Sequence, residues 1–180
     1  MASKKKKAGK KSSCSKNNEC SEALVLDVPR CGQVVRYFNL VPALPSKGAP
    51  GDWLFTEEGC DADISQLKVN FEPNESALER ELERAVLIIK IQENPKADGK
   101  WRFALTGVAT DSADEDPNND ITFDIIDNGF TMLVYLQVLG TSEEQISFGF
   151  VASFTNAKTH RVKIYESQDP VIIPVRTQPR

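Results

Sequence analysis

Apolar and polar residues alternate along much of this chain, most regularly between Ile121 and Pro170. Side chains of a half-buried strand have a period of two, so each such run predicts a β-strand. Ile121, Phe123 and Ile125 share one face, with Thr122 and Asp124 on the other. Asn128-Gly129 follows, a dipeptide that tolerates the positive φ angles of a tight hairpin turn. Phe130, Met132, Val134, Leu136 and Val138 share the next face. Their neighbours Leu133, Tyr135 and Leu139 are also apolar, which predicts a central strand covered on both sides. Beyond a polar turn at 140–144, Ile146, Phe148, Phe150, Ala152 and Phe154 alternate with Ser147, Gly149 and Ser153. A turn at 156–159 leads to a last strand in which Val162 and Ile164 alternate with Arg161, Lys163 and Tyr165. Pro170, Pro174 and Pro179 have no amide to donate, so regular pairing is expected to end near Pro170.

Hairpin-linked strands leave apolar faces that need a second sheet, and the first half of the chain must supply it. Residues 23–28 and 33–41 read as strands, followed by an irregular loop rich in Pro and Gly. A pattern then occurs twice. Gly51, Trp53, Phe55 and Gly59 match Gly99, Trp101, Phe103 and Gly107 as GxWxFxxxG. In strand geometry each Trp and Phe share a face, and the last Gly permits a bend. The pattern admits two readings: aromatic core anchors, or two ligand-binding platforms built on Trp53 and Trp101. Residues 64–71 form a further strand candidate. Ser76 and Glu79 have capping-box spacing, and Leu78, Leu82 and Ala85 follow at helical intervals, which predicts a short helix over 76–84. Residues 86–92 and 101–109 complete the expected strands.

Composition changes this picture mainly through charge. Residues 1–20 carry seven Lys and one Glu, a net of +6. Residues 21–180 carry 15 basic and 25 acidic side chains, a net of −10. The first 21 residues have too few apolar side chains to offset ordering entropy and are expected to form a disordered basic arm. Residues 22–180 are expected to form one domain. An acidic body repels nucleic acid, so any such partner would be held by the arm alone. No apolar run approaches the length that spans a bilayer, and the lysines precede no apolar signal region. A cytoplasmic protein without membrane contact is the expectation. Cys14, Cys20, Cys31 and Cys60 have irregular gaps and no CxxC, which favours reduced thiols over a zinc site.

Candidate chemistry is sparse. Asp114, Asp116, Asn118 and Asp120 fall at alternate positions, as oxygen ligands do in calcium loops. The sixth position from Asp114 is Asn119 rather than Gly, and the twelfth is Ile125 rather than Glu, so the loop is not an EF-hand. His160 is the one histidine, and any His-dependent triad would have to use it. It falls at an expected turn. No nucleophile elbow, P-loop or HExxH motif occurs. Neither a catalytic residue nor a cofactor is therefore assigned. Ser167, Gln168 and Asp169 read as an exit turn, with a ligand role as the alternative.

Several of these features occur together in one known family. Trp101 and Phe103, an acidic loop, Phe123 and Ile125, Asp127-Asn128-Gly129, Phe154, then Glu166-Ser167-Gln168-Asp169-Pro170 and Pro174 come in that order. Over roughly residues 87–180 the chain resembles the DP-EP family, small bacterial proteins named for Asp-Pro and Glu-Pro dipeptides near the C-terminus. Here Ile173-Pro174 stands where Glu-Pro would be expected. The resemblance implies an immunoglobulin-like β-sandwich and brings no mechanism.

The fold expected is thus an all-β, immunoglobulin-like antiparallel sandwich with one short helix. The function expected is non-catalytic: a protein-binding module, or one that self-associates through its sheet edges. A capsid-like subunit holding nucleic acid with its lysine arm is a second reading. A carbohydrate- or calcium-binding module is a third.

Overall fold

The structure is a computed structural model and describes residues 23–45, 51–109, 116, 119–141, 145–168 and 170–177. The expected arm, Asp114, Asn118, Asp169, Cys14 and Cys20 lie outside the described residues. The alternating runs fold as strands. They are β1 (Ala23–Val28), β2 (Gln33–Val41), β3 (Leu54–Glu57), β4 (Gln66–Phe71), β5 (Arg84–Ile91) and β6 (Gly99–Ala109). Then follow β7 (Ile121–Ile126), β8 (Thr131–Leu136), β9 (Ile146–Ser147), β10 (Gly149–Asn156), β11 (Val162–Glu166) and β12 (Val171–Arg176). One helical turn, α1 (Ala77–Arg80), lies between β4 and β5.

Five strands form one sheet in the order β3-β2-β5-β8-β7. Against it lie a four-stranded sheet, β1-β4-β12-β9, and a three-stranded sheet, β11-β10-β6. These two are joined where the chain runs from β9 into β10 through Phe148. A single apolar cluster draws on all three sheets, with Phe38, Leu87, Ile89, Met132, Phe148 and Phe150 at its centre. Phe55 of the first layer packs on Phe150 of the second, their ring centres 5.2 Å apart. The all-β sandwich expected from the alternation is therefore present.

The pairing within it is mixed rather than purely antiparallel. β1 and β12 both run parallel to β4, and β2 runs parallel to β5. Alternation reports which face a residue occupies and carries no information about strand direction. Pairing also continues beyond Pro170, against expectation. β12 lies between β4 and β9 and contains Pro174. The Val171 amide donates to the Ser65 carbonyl, on the side of β4. With a period of two, Pro174's nitrogen lies on the opposite flank. There β9 covers only Val171 and Ile172, so the missing amide interrupts no ladder.

Two further expectations shift. The helix predicted over 76–84 is one turn, capped by Ser76 Oγ accepting from Glu79 N. Leu78 and Leu82 stay exposed, and β5 begins early at Arg84. Glu83, buried completely, is tied elsewhere and draws the chain out of the helix. The strand expected to be covered on both sides, β8, is central but covered on one. Met132, Val134 and Leu136 are fully buried, whereas Leu133 and Tyr135 point outward and are half-buried.

Candidate functional site

The outward residues of the five-stranded sheet form an ordered array. Val35, Val86 and Tyr135 stand side by side on β2, β5 and β8, and Tyr37, Ile88 and Leu133 form the next row. Six apolar side chains thus occupy two complete cross-strand rows. Val35 and Tyr37 are 43% and 45% exposed; the other four are half-buried by their neighbours in the sheet. Polar groups border the array. Thr122 and Asp124 of β7 continue the two rows, and Lys90 follows Ile88 on β5. Scattered exposed apolar residues are normal, but contiguous ones mark contact surfaces. The physical signal in the sequence was the two-sided apolar character of β5 and β8. Which residues of β2 would extend it depended on the parallel β2–β5 register.

The two tryptophans meet inside the molecule. Trp53 and Trp101 pack edge to face with ring centres 5.5 Å apart, and Trp101 also contacts Phe154 and Tyr165. Trp101 is 1% exposed and Trp53 8%, so neither offers a ring face to a sugar. The paired motif marks two arms of one aromatic core. Both of its closing glycines, Gly59 and Gly107, have left-handed φ values, 87° and 84°.

Trp53 also lines a half-open cleft of about 80 Å³ with Asp63, Ser65, Ser167, Gln168 and Pro170. That volume holds a few water-sized groups. Several of its polar side chains brace local backbone. Asp63 Oδ1 accepts from Phe55 N at 3.0 Å. Ser167 Oγ accepts from Phe150 N at 2.7 Å and donates to the Gln168 carbonyl at 2.8 Å. Gln168 Nε2 donates to Asp52 Oδ1 at 3.3 Å.

Of the acidic loop, Asp116 and Asp120 are described. Asp116 Oδ1 accepts from Asp120 N at 2.7 Å, and Oδ2 from Ile121 N at 3.0 Å. Both carboxylate oxygens thereby cap the start of β7, which competes with any cation for the same lone pairs. Among the described residues no group of three His, Cys, Asp or Glu is placed to hold a metal ion. His160 is exposed in the turn after β10, at φ 54°, and its amide donates to the Asn156 carbonyl. Cys31 is exposed and Cys60 half-buried, and no disulfide joins them.

Sequence reasoning missed one buried polar cluster. Arg176 of β12 is buried against Glu83, with Nη2 2.5 Å from Oε2, and the two side chains are 1% and 0% exposed. Arg176 Nε donates to the Val138 carbonyl and Nη1 to the Glu72 carbonyl. Its guanidinium lies 5.0 Å from the centre of the Phe71 ring. Glu83 Oε1 accepts from Asn74 Nδ2 at 2.8 Å and from Cys31 N at 3.0 Å. Burial pushes the Glu83 carboxyl up, but the hydrogen bonds from Asn74 and Cys31 and the Arg176 charge outweigh it and hold it below its usual value. Nothing in residue spacing pairs positions 93 apart. The cluster holds β12, the β4–α1 link and the β5 entry together, which gives it a structural role.

A protein-family model, that of the DP-EP family, matches residues 22–176. No curated protein matches the chain. No helix among the described residues is long and apolar enough to cross a membrane.

Proposed function

The chain belongs to the DP-EP family, and we propose that it acts as a non-catalytic protein-interaction module whose contact surface is the outer face of the five-stranded sheet. One observation carries this reading: two complete rows of apolar side chains, Val35-Val86-Tyr135 and Tyr37-Ile88-Leu133, remain open to solvent on a rigid sheet. Interfaces concentrate aromatic and aliphatic residues at a centre depleted of charge, with a polar rim. The two tyrosines lie in the apolar rows, and Lys90 and Asp124 stand at the border. Residues of this kind anchor partners more often than catalysing reactions. The other candidate places support no competing reading as well. The cleft beside Trp53 is small, and both oxygens of Asp116 already accept amide protons.

The test is photo-crosslinking in the cells that make the protein. A photoreactive phenylalanine analogue at position 135 is expected to give a discrete adduct. The same group at position 162, exposed on the edge strand β11, is expected to give none. No adduct from position 135 would end the proposal.

A further inference from the structure

We propose that the partner on this face is a second copy of the chain, bound face to face about a two-fold axis. This rests on the interaction reading above and names its occupant. The first argument concerns what this sequence can place on the face itself. Every Val, Ile, Leu, Phe, Trp and Tyr of the sequence belongs to the described residues. The remaining stretches, the lysine-rich first 22 residues included, have no such side chain to lay over Val35, Tyr37, Val86, Ile88, Leu133 and Tyr135. Apolar cover of comparable character must come from another molecule.

The second argument is area. Five strands spaced about 4.8 Å apart and about six residues long at roughly 3.3 Å each present on the order of 500 Å². Two such faces bury on the order of 1,000 Å², the lower bound for a specific interface. The association is therefore reversible and concentration-dependent.

The third argument is the layout. In a two-fold contact the same patch serves both partners, so it must complement itself. An axis lying in the face along β5 brings Val86 and Ile88 against their own copies. It sets Val35 and Tyr37 of β2 over Tyr135 and Leu133 of β8. Each row then meets apolar side chains only. Stacked sheets pack about 10 Å apart in this way, with side chains from both faces filling the space. The contact uses the sheet's face and leaves its edges free.

Sedimentation equilibrium of the full chain from about 1 μM to about 1 mM, a range chosen to bracket weak dimers, tests the proposal. The weight-average mass is expected to rise from 20.0 kDa towards twice that value. Ile88→Asp places two charges at the centre of the contact and is expected to weaken association at least about tenfold. Tyr135→Lys is a second disruptive variant, used if Ile88→Asp loses its native circular dichroism. Val162→Asp, on the outer face of β11, is expected to leave the mass profile unchanged. A mass that stays at 20.0 kDa throughout overturns the proposal. So does association that survives both face variants. The crosslinked adduct separates this failure from that of the broader reading. An adduct at twice the chain mass supports the second copy. An adduct of another mass removes the second copy and keeps the interaction face. No adduct removes both.

Discussion

Glu83→Gln leaves the Arg176 guanidinium buried with its two carbonyl acceptors but without the carboxylate 2.5 Å from Nη2. The remaining charge has no counter-ion within the cluster and no access to water. Breaking a buried pair by removing one partner costs about 3–5 kcal/mol. For a chain of 180 residues each kcal/mol lowers Tm by roughly 2–4 °C, so Tm is expected to fall by about 6–20 °C. Arg176→Met strands the Glu83 carboxylate instead, and a similar loss is expected. The pair Glu83→Leu with Arg176→Met removes both charges at once and should lose less than either single charge-removing variant, because apolar replacement of a whole buried pair is close to neutral. The pH dependence has a defined sign. Glu83 in the folded protein is held below its ordinary value of 4.5. Its contribution is present above about pH 4.5 and is lost as pH falls through the lower folded value. Glu83→Gln should therefore flatten the acid limb of the stability profile. Urea unfolding at neutral pH and in steps down to about pH 3 measures both effects. Single-variant losses under about 1 kcal/mol, or a double-variant loss equal to the sum of the singles, would refute the argument that the two charges support each other.

The other structural arguments give further expected outcomes. Gly107→Ala should destabilise more than Gly59→Ala: both positions have positive φ, but a Cβ at Gly107 would lie 2.8 Å from Met132 Sδ, and one at Gly59 meets nothing within 4 Å. The conformational penalty is about 1–2 kcal/mol at each, so thermal melts should rank the two, and equal losses would contradict the packing described. Trp101→Ala should cost about 3–5 kcal/mol, whereas Trp101→Phe should cost clearly less, since it also removes a buried indole N–H that has no acceptor among the described residues; denaturant titration distinguishes them. Millimolar calcium is expected to leave Tm unchanged, because Asp116 uses both oxygens on backbone amides; a calcium-dependent rise in Tm would show a site there. Deleting residues 171–180 should abolish cooperative unfolding, because it removes β12 from the four-stranded sheet together with Arg176; a near-native melt would disprove that role.

Much of the sandwich was legible because strand alternation is a local property. The buried set Met132, Val134 and Leu136 and the buried set Phe148, Phe150, Ala152 and Phe154 follow directly from it. The Asn128-Gly129 turn was legible for the same reason: its φ values of 53° and 89° are what those residues tolerate. The candidate surface was only half legible. Leu133 and Tyr135 announced a second apolar face on β8, but the natural inference, a covering layer from the same chain, was wrong. That a motif pairs its tryptophans edge to face could not be read from an offset of 48 residues.

By itself, then, the sequence determined the strand class, the inward and outward face of most strands, the turn positions and the absence of familiar catalytic motifs. These follow from periods of two and from residue-specific backbone preferences, which act within a few residues. Only the tertiary structure decided strand direction, the place of β12 inside a sheet, the burial of Arg176 on Glu83, and which apolar face is left open. Each depends on contacts between positions far apart in the chain, where the energy lies in register and desolvation rather than in local pattern. Val35, Val86 and Tyr135 become one row only after β2 aligns parallel to β5 and β5 antiparallel to β8.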